Sequence, residues 1–329
     1  MTPMDTLFTP RQEVLDTLPD VKGNEINGLG EESPRPPSPV MWHDQSILAH
    51  GDLQTWFQAN GLAPGSSDHR KENMEYSSKP LPPLAPTGAR PDWSVEEWTR
   101  QVKAAALARE TDIVGIARLD KSTIFEGYEA PYDWVIVLVV AMDYDCLSTA
   151  PSQKSQVEVQ NQYTRSTRAA YNLAAWIRER GWDGIPHGGP RAGPILMIPH
   201  AIAAGMGELG KHGSMINRQY GSSFRLACVM TNLPLIPDQP DQFCADEFCV
   251  NCQICTNVCP VDAIQPEKQM VRGERKWYVD FDDCILYFVE NNGCGICIGQ
   301  CPWSRTGTAP RLAEKLTRRQ ERTSARTPL

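Results

Sequence analysis

The stretch CVNCQICTNVCP, residues 249–260, decides the fold of the last third of this 329-residue chain. Its cysteines have the spacing C-x2-C-x2-C-x3-C-P, with which bacterial ferredoxins bind iron–sulfur clusters. A second run, CGICIGQCP, follows at residues 294–302, and Cys284 lies upstream of it. Together these cysteines supply eight thiolates, the number that two cubane clusters need. We therefore predict a ferredoxin-like domain with two 4Fe–4S clusters, which transfers electrons one at a time.

The spacing also predicts how the cysteines divide between the two clusters. Three thiolates two residues apart curl the backbone around one cluster, and the fourth cysteine of such a run reaches the other cluster. We expect a first set of Cys249, Cys252, Cys255 and Cys301 and a second set of Cys259, Cys284, Cys294 and Cys297. Cys244 stays open as an alternative to Cys284. Cys146 and Cys228 lie in apolar stretches, where cysteine packs as a small hydrophobic residue.

Zinc is the other metal that short cysteine pairs bind. Zinc ribbons use two separated pairs, whereas this chain has a continuous four-cysteine run, and both of its runs end in Cys-Pro. Nine of the eleven cysteines lie within residues 244–301. Such crowding indicates metal binding rather than a disulfide framework.

The composition is that of an ordinary globular protein. Hydrophobic residues make up 41% and charged residues 22%, with a net charge of −8, which argues against a basic DNA-binding face. No apolar run of about 18 residues is present, so no transmembrane helix is predicted. The N-terminus has neither a secretory pattern nor a twin-arginine pair, so we predict a cytoplasmic protein.

Composition divides the chain into four predicted segments. Residues 1–92 form a proline-rich N-terminal arm, expected to be partly disordered with one short helix within residues 45–62. Residues 93–240 form the main globular domain, residues 241–305 form the two-cluster domain, and residues 306–329 form a basic, partly helical tail.

Helices and strands alternate in residues 93–240, which predicts an α/β domain and makes the whole chain α+β or α/β. Ser94 and Glu97 have the spacing of a helix capping box. An amphipathic helix is predicted over residues 163–181. The predicted strands are residues 114–119, 135–142, 195–198 and 224–232.

The motif GMGELG places Gly205, Gly207 and Gly210 at the spacing of a dinucleotide-binding loop. Its context differs from such a loop, because Pro199 interrupts any preceding strand and no acidic residue follows about 20 positions later. We expect these glycines to let the backbone approach a bulky, flat ligand instead.

Three further sequence blocks, together with the first cysteine run, occur in a characteristic order and at characteristic spacings. They are AGMGELGKHGSMINRQYGSSFRLACVMTNLPL (204–235), WYVDFDDC (277–284) and NGCGICIGQCPWS (292–304). With the first cysteine run, they resemble the corrinoid iron–sulfur reductive dehalogenases and the related epoxyqueuosine reductases over residues 95–305. The CGICIGQCPWS form and the absence of a helical-repeat extension favour the dehalogenases. So does the absence of aspartate between Asp145 and Asp183, where epoxyqueuosine reductases have one.

The resemblance implies a cobalamin, bound base-off in the 93–240 domain, and an organohalide substrate. It implies that Tyr163 donates the proton, with Tyr171 as the competing position, and that either Lys211 or Arg225 is the cation that stabilises the phenolate. The cofactor pocket would be formed by the three glycines together with Phe224 and Trp303. Electrons would come from an external low-potential donor, namely a ferredoxin, a flavodoxin or a reductase.

Two alternatives remain at this stage. An epoxyqueuosine reductase-like enzyme acting on tRNA would use the same cofactors and would need a basic groove. A non-catalytic dicluster electron carrier would contain iron and sulfide but no cobalt. The chain is also short for the dehalogenases, with a reduced N-terminal region.

Overall fold

The computed structural model describes residues 8–191 and 193–324. The first seven residues of the predicted arm and the last five of the predicted tail lie outside the described residues. The prediction that the N-terminus lacks an export signal therefore falls partly on residues outside the described ones. Among the described residues, no helix combines the length and the hydrophobicity needed to cross a bilayer.

A four-stranded antiparallel sheet lies at the centre of residues 93–240. The strands of the described residues are β1 Ile113–Arg118, β2 Trp134–Ala141, β3 Gly184–Gly188, β4 Glu208–Leu209, β5 Met215–Ile216, β6 Phe224–Thr231, β7 Gln269–Val271 and β8 Glu274–Lys276. The sheet has the order β1-β2-β6-β3, while β4-β5 and β7-β8 are separate pairs. The sequence of β2, WVIVLVVA, suits its central place because a strand buried on both faces needs apolar residues throughout.

Three of the predicted strands are confirmed, at β1, β2 and β6. The prediction for residues 195–198 was wrong, because Met197 begins a helix and Ile195 forms an isolated bridge with Ile124. The mixed content of helix and strand is confirmed. Every pairing in the sheet is antiparallel, so the α/β prediction for residues 93–240 is corrected to α+β, the class that the sequence left open for the whole chain.

Helices cover both faces of this sheet. The α-helices of the described residues are α1 Gln12–Leu15, α2 Gly23–Asn27, α3 Gly51–Asn60, α4 Ser67–Ser78, α5 Val95–Leu107, α6 Tyr144–Leu147, α7 Gln153–Arg178, α8 Met197–Ala203, α9 Ala245–Asn251, α10 Ile254–Val258, α11 Phe281–Glu290, α12 Ile296–Gly299 and α13 Thr308–Ser324. One apolar core joins α5 and α7 to one face of the sheet, and a second joins α8 to the other face. Ser94 caps α5, as its spacing predicts.

The long helix α7 begins ten residues earlier than predicted, after a capping box formed by Ser152. Its first turns are polar in sequence yet buried in the fold. Gln156 shows why, since its side chain donates to the Gly61 carbonyl and accepts from the Ala63 amide. Hydrophobic periodicity misses such a helix face, because hydrogen bonds rather than apolar contacts bury it.

The cysteine-rich part of the chain consists mainly of helices, with the β7-β8 pair between α10 and α11. Helices α9, α10 and α12 carry the cysteine runs, and α11 carries Cys284. The predicted helix in the tail is confirmed as α13, which packs Ala309 and Ala313 into a core around Trp303. Cys249 and Cys301 belong to the same core, which also includes Ile216 of the main domain.

The N-terminal segment is more ordered than expected. The predicted helix is confirmed as α3, but the described part also contains α1, α2 and α4. Leu53 and Phe57 of α3 pack against Ile285 and Val289 of α11. The prediction of a single short helix in this arm is corrected for residues 8–92, where further short helices are stabilised by packing rather than by their own propensity.

Candidate functional site

The eight predicted cluster cysteines lie in two groups. In the first, Cys249, Cys255 and Cys301 are buried and each interacts electrostatically with Cys252. The second group consists of Cys259, Cys284, Cys294 and Cys297. This is the division that the spacing predicts. We keep the names first set and second set for these two groups.

Burial makes these thiols weaker acids than free cysteine. It raises the pKa of Cys249, Cys284 and Cys301 to about 12, and the neighbouring cysteines add like charge. Thiolates in such surroundings need strong positive charge between them, which iron provides. Among residues 8–191 and 193–324, no three His, Cys, Asp or Glu side chains converge on a single ion.

Backbone amides point at the sulfur atoms of both sets. The N–H groups of Trp303 and Ser304 donate to Cys301, and the N–H of Lys211 donates to Cys249. In the second set, the N–H groups of Gly295 and Ile296 donate to Cys294. Hydrogen bonds of this kind stabilise thiolates and tune cluster potentials.

Cys244 lies apart from both sets. Its thiol donates to Oε1 of Gln320 at 3.2 Å. Burial raises its pKa, and the charges that act on it come from Glu247, Glu208 and Arg218 rather than from cysteines. The structure thus brings Cys284, and not Cys244, into the second set. Cys228 is buried in its strand, where desolvation raises the pKa of its thiol to about 12, and Cys146 is half-buried.

A cavity of about 600 Å³ connects the second set with the main domain. Such a volume lies within the range of small-molecule and cofactor sites. The four cysteines of the second set line it, together with Tyr163 of α7 and Arg225 of β6. Its apolar lining includes Trp42, Phe57, Val159, Ile198, Val279 and Phe288. The N-terminal segment, the main domain and the two-cluster domain therefore all contribute residues to this cavity.

Tyr163 and Arg225 are neighbours in the cavity wall. The guanidinium carbon of Arg225 lies 4.9 Å from the centroid of the Tyr163 ring, within the range of a cation–π contact. The Nε atom of Arg225 is buried and has no hydrogen-bond partner in the described structure. Tyr171, the competing position, is already engaged, because its hydroxyl donates to the Pro80 carbonyl at 2.8 Å. Of the two tyrosines, Tyr163 is the one that faces the cavity.

Lys211 does not line this cavity, so of the two alternatives, Lys211 and Arg225, it is Arg225 that the structure brings to Tyr163. The Nζ of Lys211 is 4.9 Å from the centroid of the Trp277 ring, and its charge acts on the thiol of Cys255. Lys211 therefore belongs to the surroundings of the first set. Its sequence position beside the glycine motif gave no sign of this.

The residues expected to form the cofactor pocket do not line the cavity. A Cβ on Gly205 would lie 2.5 Å from the Gln239 carbonyl oxygen, and one on Gly207 would lie 2.1 Å from that of Ile216. A Cβ on Gly210 would lie 2.7 Å from the His212 ring. These glycines are thus required by contacts within the protein itself. Phe224 and Trp303 are core residues. Phe224 of β6 packs in the core between the sheet and α8, and the Trp303 ring contacts Phe243 and Phe248.

Sequence reasoning missed several cavity residues just beyond the motifs it used. Gly213 lines the cavity with a φ of 74°, and a Cβ there would lie 2.9 Å from Val279. Gly293 and Gly295, on either side of Cys294, also have positive φ and line it. The strings KHGS and NGCG contain this signal, because glycine is favoured where the backbone adopts positive φ.

His212 is a buried neutral base in the cavity wall. Its Nδ1 accepts from the Ser214 amide at 3.2 Å, and its Nε2 lies 3.0 Å from Oγ of Ser222. Since Ser222 donates its own proton to the Met215 carbonyl, Nε2 carries the imidazole proton. Burial lowers the pKa of His212 to about 4, so the ring stays uncharged at neutral pH.

Comparisons with known proteins agree with this geometry. The family model of the 4Fe-4S dicluster domain matches residues 248–305. Tetrachloroethene reductive dehalogenase of Desulfitobacterium hafniense is 33% identical over 187 residues, which cover 53% of this chain and 33% of that protein. Epoxyqueuosine reductase of Cyclobacterium marinum is 32% identical over 129 residues, 34% of this chain and 38% of that protein.

Among solved structures, a variant of the catabolic reductive dehalogenase NpRdhA superposes with a TM-score of 0.76 at 23% identity. The match covers 96% of this chain and 48% of that chain. The chain thus spans about a third of the curated dehalogenase and about half of the solved one. Over the part that it spans, this chain is similar in sequence to the reductive dehalogenases, as the sequence resemblance predicts, and it has the fold of the solved one.

Proposed function

We propose that this chain is a cobalamin-dependent oxidoreductase of the reductive dehalogenase type, which cleaves a carbon–halogen bond in an organohalide. The observation that carries the proposal is the cavity in which a buried cysteine set meets the pair Tyr163 and Arg225. An electron relay and a proton donor at one cavity are the two components that replacement of halogen by hydrogen requires.

The first component is the relay. We assign the first set and the second set as ligands of one 4Fe–4S cluster each, with Cys284 as the eighth ligand. The second set lines the cavity, whereas Cys252 of the first set is half-buried between two exposed apolar residues, Val250 and Ile254. Electrons from a low-potential donor therefore enter at the first set and leave through the second.

The cavity suits a large, flat corrinoid ring. Its lining is mostly apolar, and the glycines Gly213, Gly293 and Gly295 let the backbone lie close to the ligand. The unpartnered Nε of Arg225 offers a buried donor at this site. A cobalamin held there would supply the reduced cobalt chemistry that removal of the halogen needs.

The second component is the proton. Tyr163 holds it on the phenol oxygen, and the guanidinium of Arg225 stabilises the phenolate that remains after transfer to carbon. The apolar walls formed by Trp42, Phe57 and Phe288 exclude water, which strengthens this electrostatic effect. Proton delivery is therefore restricted to one oriented side chain.

The decisive experiment is anaerobic reconstitution of the chain with iron, sulfide and cobalamin, followed by metal analysis. We expect about eight irons and one cobalt per chain, and halide release from a halophenol in the presence of a strong reductant. Iron without retained cobalt contradicts the proposal and leaves the dicluster electron carrier. Turnover of an epoxyqueuosine-containing tRNA without halide release contradicts it in favour of the epoxyqueuosine reductases.

A further inference from the structure

Lys211 is a buried cation that lacks a counterion in the described structure. Its side chain is only 1% exposed, and its Nζ has no hydrogen-bond partner among the described residues. Burying an ammonium group is costly unless an opposite charge compensates it. A lysine in this position therefore indicates that negative charge lies close to it in the assembled protein.

The carboxylate of Asp246, which is bonded to the same indole ring that Lys211 contacts, does not supply that charge. Asp246 accepts from Nζ of Lys268 at 2.6 Å and from Nε1 of Trp277 at 2.6 Å. Lys211 contacts the same indole ring, with its Nζ 4.9 Å from the centroid. The indole thus contacts two lysines, of which Lys268 is paired and half-buried while Lys211 is buried and has no hydrogen-bond partner among the described residues.

The other groups that face Lys211 belong to the first set. Its backbone N–H donates to the sulfur of Cys249. Burial raises the pKa of the Cys255 thiol, and the charge of Lys211 opposes that rise. A cubane with four thiolate ligands has net negative charge, and each electron that it accepts makes it more negative. Such a cluster is the counterion that the lysine lacks.

We propose that Lys211 is the buried counterion of the cluster held by the first set and raises its reduction potential. This inference rests on the proposed ligation of that cluster but not on the proposed dehalogenation. A fixed positive charge in a low-dielectric interior stabilises the reduced cluster more than the oxidised one. Lys211 acts through the cluster, so it is a tuning residue and not a catalytic one.

The second set has the opposite surroundings. Burial and neighbouring thiols raise the pKa of Cys284, and the carboxylates of Asp280 and Asp283 add further negative charge. Negative charge of this kind lowers the potential of a cluster. The two clusters therefore differ in potential, with the first set holding an electron more readily than the second. The cluster at the cavity is then the stronger reductant.

The test is a redox titration of the anaerobically reconstituted chain, followed by electron paramagnetic resonance, without cobalamin or substrate. Lys211→Met is expected to lower one midpoint by at least about 59 mV, which is a tenfold change in a one-electron equilibrium, and to leave the other in place. Lys211→Arg is expected to keep both midpoints. Lys268→Met is the matched control, because Asp246 already neutralises that charge, and it is expected to move neither midpoint.

Unchanged midpoints in Lys211→Met would overturn the proposal, and so would an equal shift of both clusters. If Lys211→Met loses half of its iron, Lys211→Arg decides the matter. Full iron content in the arginine variant supports a requirement for charge, whereas loss of iron there as well contradicts it. Because the titration measures no halide, its result can be interpreted even if the chain does not catalyse dehalogenation.

Discussion

The backbone of Gly189 lies directly against the ring of Tyr163. A Cβ on Gly189 would lie 2.1 Å from a carbon of that ring, and the Gly189 carbonyl is fixed by donors from Asn73 and Thr167. The loop at Gly189 therefore cannot move away easily. The Tyr163 ring can occupy its position only because residue 189 has no side chain. Glycine at 189 is a condition for placing the proposed proton donor.

We predict that Gly189→Ala displaces the Tyr163 ring and lowers dehalogenation by roughly 10²-fold, the cost of about 1 Å of misplacement at a reacting group. Iron content is expected to stay at the wild-type level. Gly88→Ala serves as the control, because a Cβ there meets nothing within 4 Å. Halide release by the two variants is compared under saturating reductant. Equal rates would contradict this role of Gly189.

Tyr163→Phe is expected to reduce dehalogenation by roughly 10²- to 10⁴-fold, the usual contribution of a positioned general acid. The ring and its packing stay, and only the phenol proton is lost. Tyr171→Phe is the matched control, since it removes a hydroxyl that donates to the Pro80 carbonyl. That change should cost about 1 kcal/mol of stability and leave turnover intact. If both variants turn over alike, Tyr163 does not donate the proton.

The choice between Cys244 and Cys284 has a direct chemical test. Cys284→Ala is expected to lose one cluster, so that about four of eight irons remain after reconstitution. Cys244→Ala is expected to retain all of them, because Cys244 contacts Gln320 and lies outside both sets. Iron and sulfide analysis with the absorbance of the clusters measures this. Loss of iron in the Cys244 variant alone would reverse the assignment.

Stability is expected to fall between pH 6.5 and pH 4 because of His212. Burial lowers its folded pKa from 6.5 to about 4, so the unfolded chain binds more protons in this window. The contribution is complete above pH 6.5 and is lost as the pH falls towards 4, on the order of 3 kcal/mol. Urea midpoints of the anaerobic protein at several pH values, compared with those of His212→Gln, measure it. Parallel pH profiles would show that His212 does not contribute.

The cysteine sets could be predicted from sequence because their geometry is local. Short spacings such as Cys249-x2-Cys252 restrict the backbone to a tight curl, whatever surrounds it. The long-range members, Cys284 and Cys301, followed from counting thiolates. Cys244 could be set aside only in three dimensions, where it lies against Gln320 of the helical tail.

The partner of Tyr163 could not be chosen from sequence. Lys211 and Arg225 lie only 14 positions apart, yet β4, β5 and the intervening turn send them to different sites. The sequence around a charged residue does not predict which site it reaches when its neighbours in the fold come from distant segments. The glycine motif failed for a similar reason, since Gly207 meets the backbone of Ile216 and not a ligand.

The short N-terminal helices were missed because their stability comes from distant partners. Helix α4 has a polar sequence, and Asn73 within it is buried by bonds to Thr167 and Gly189. Propensity and periodicity describe only what a helix does by itself. The contacts that stabilise this segment involve residues about 100 to 250 positions away.

Asn24 bonds to Tyr278, to Asp280 and to the amide of Phe281. During synthesis, Asn24 leaves the ribosome long before residues 278–281 have been made. The early segment must therefore wait, unassembled, until the cysteine region has emerged behind it. The cavity wall formed by Trp42 and Phe57 is therefore completed only after α11 has been synthesised, because Phe57 packs against Ile285 and Val289 of that helix.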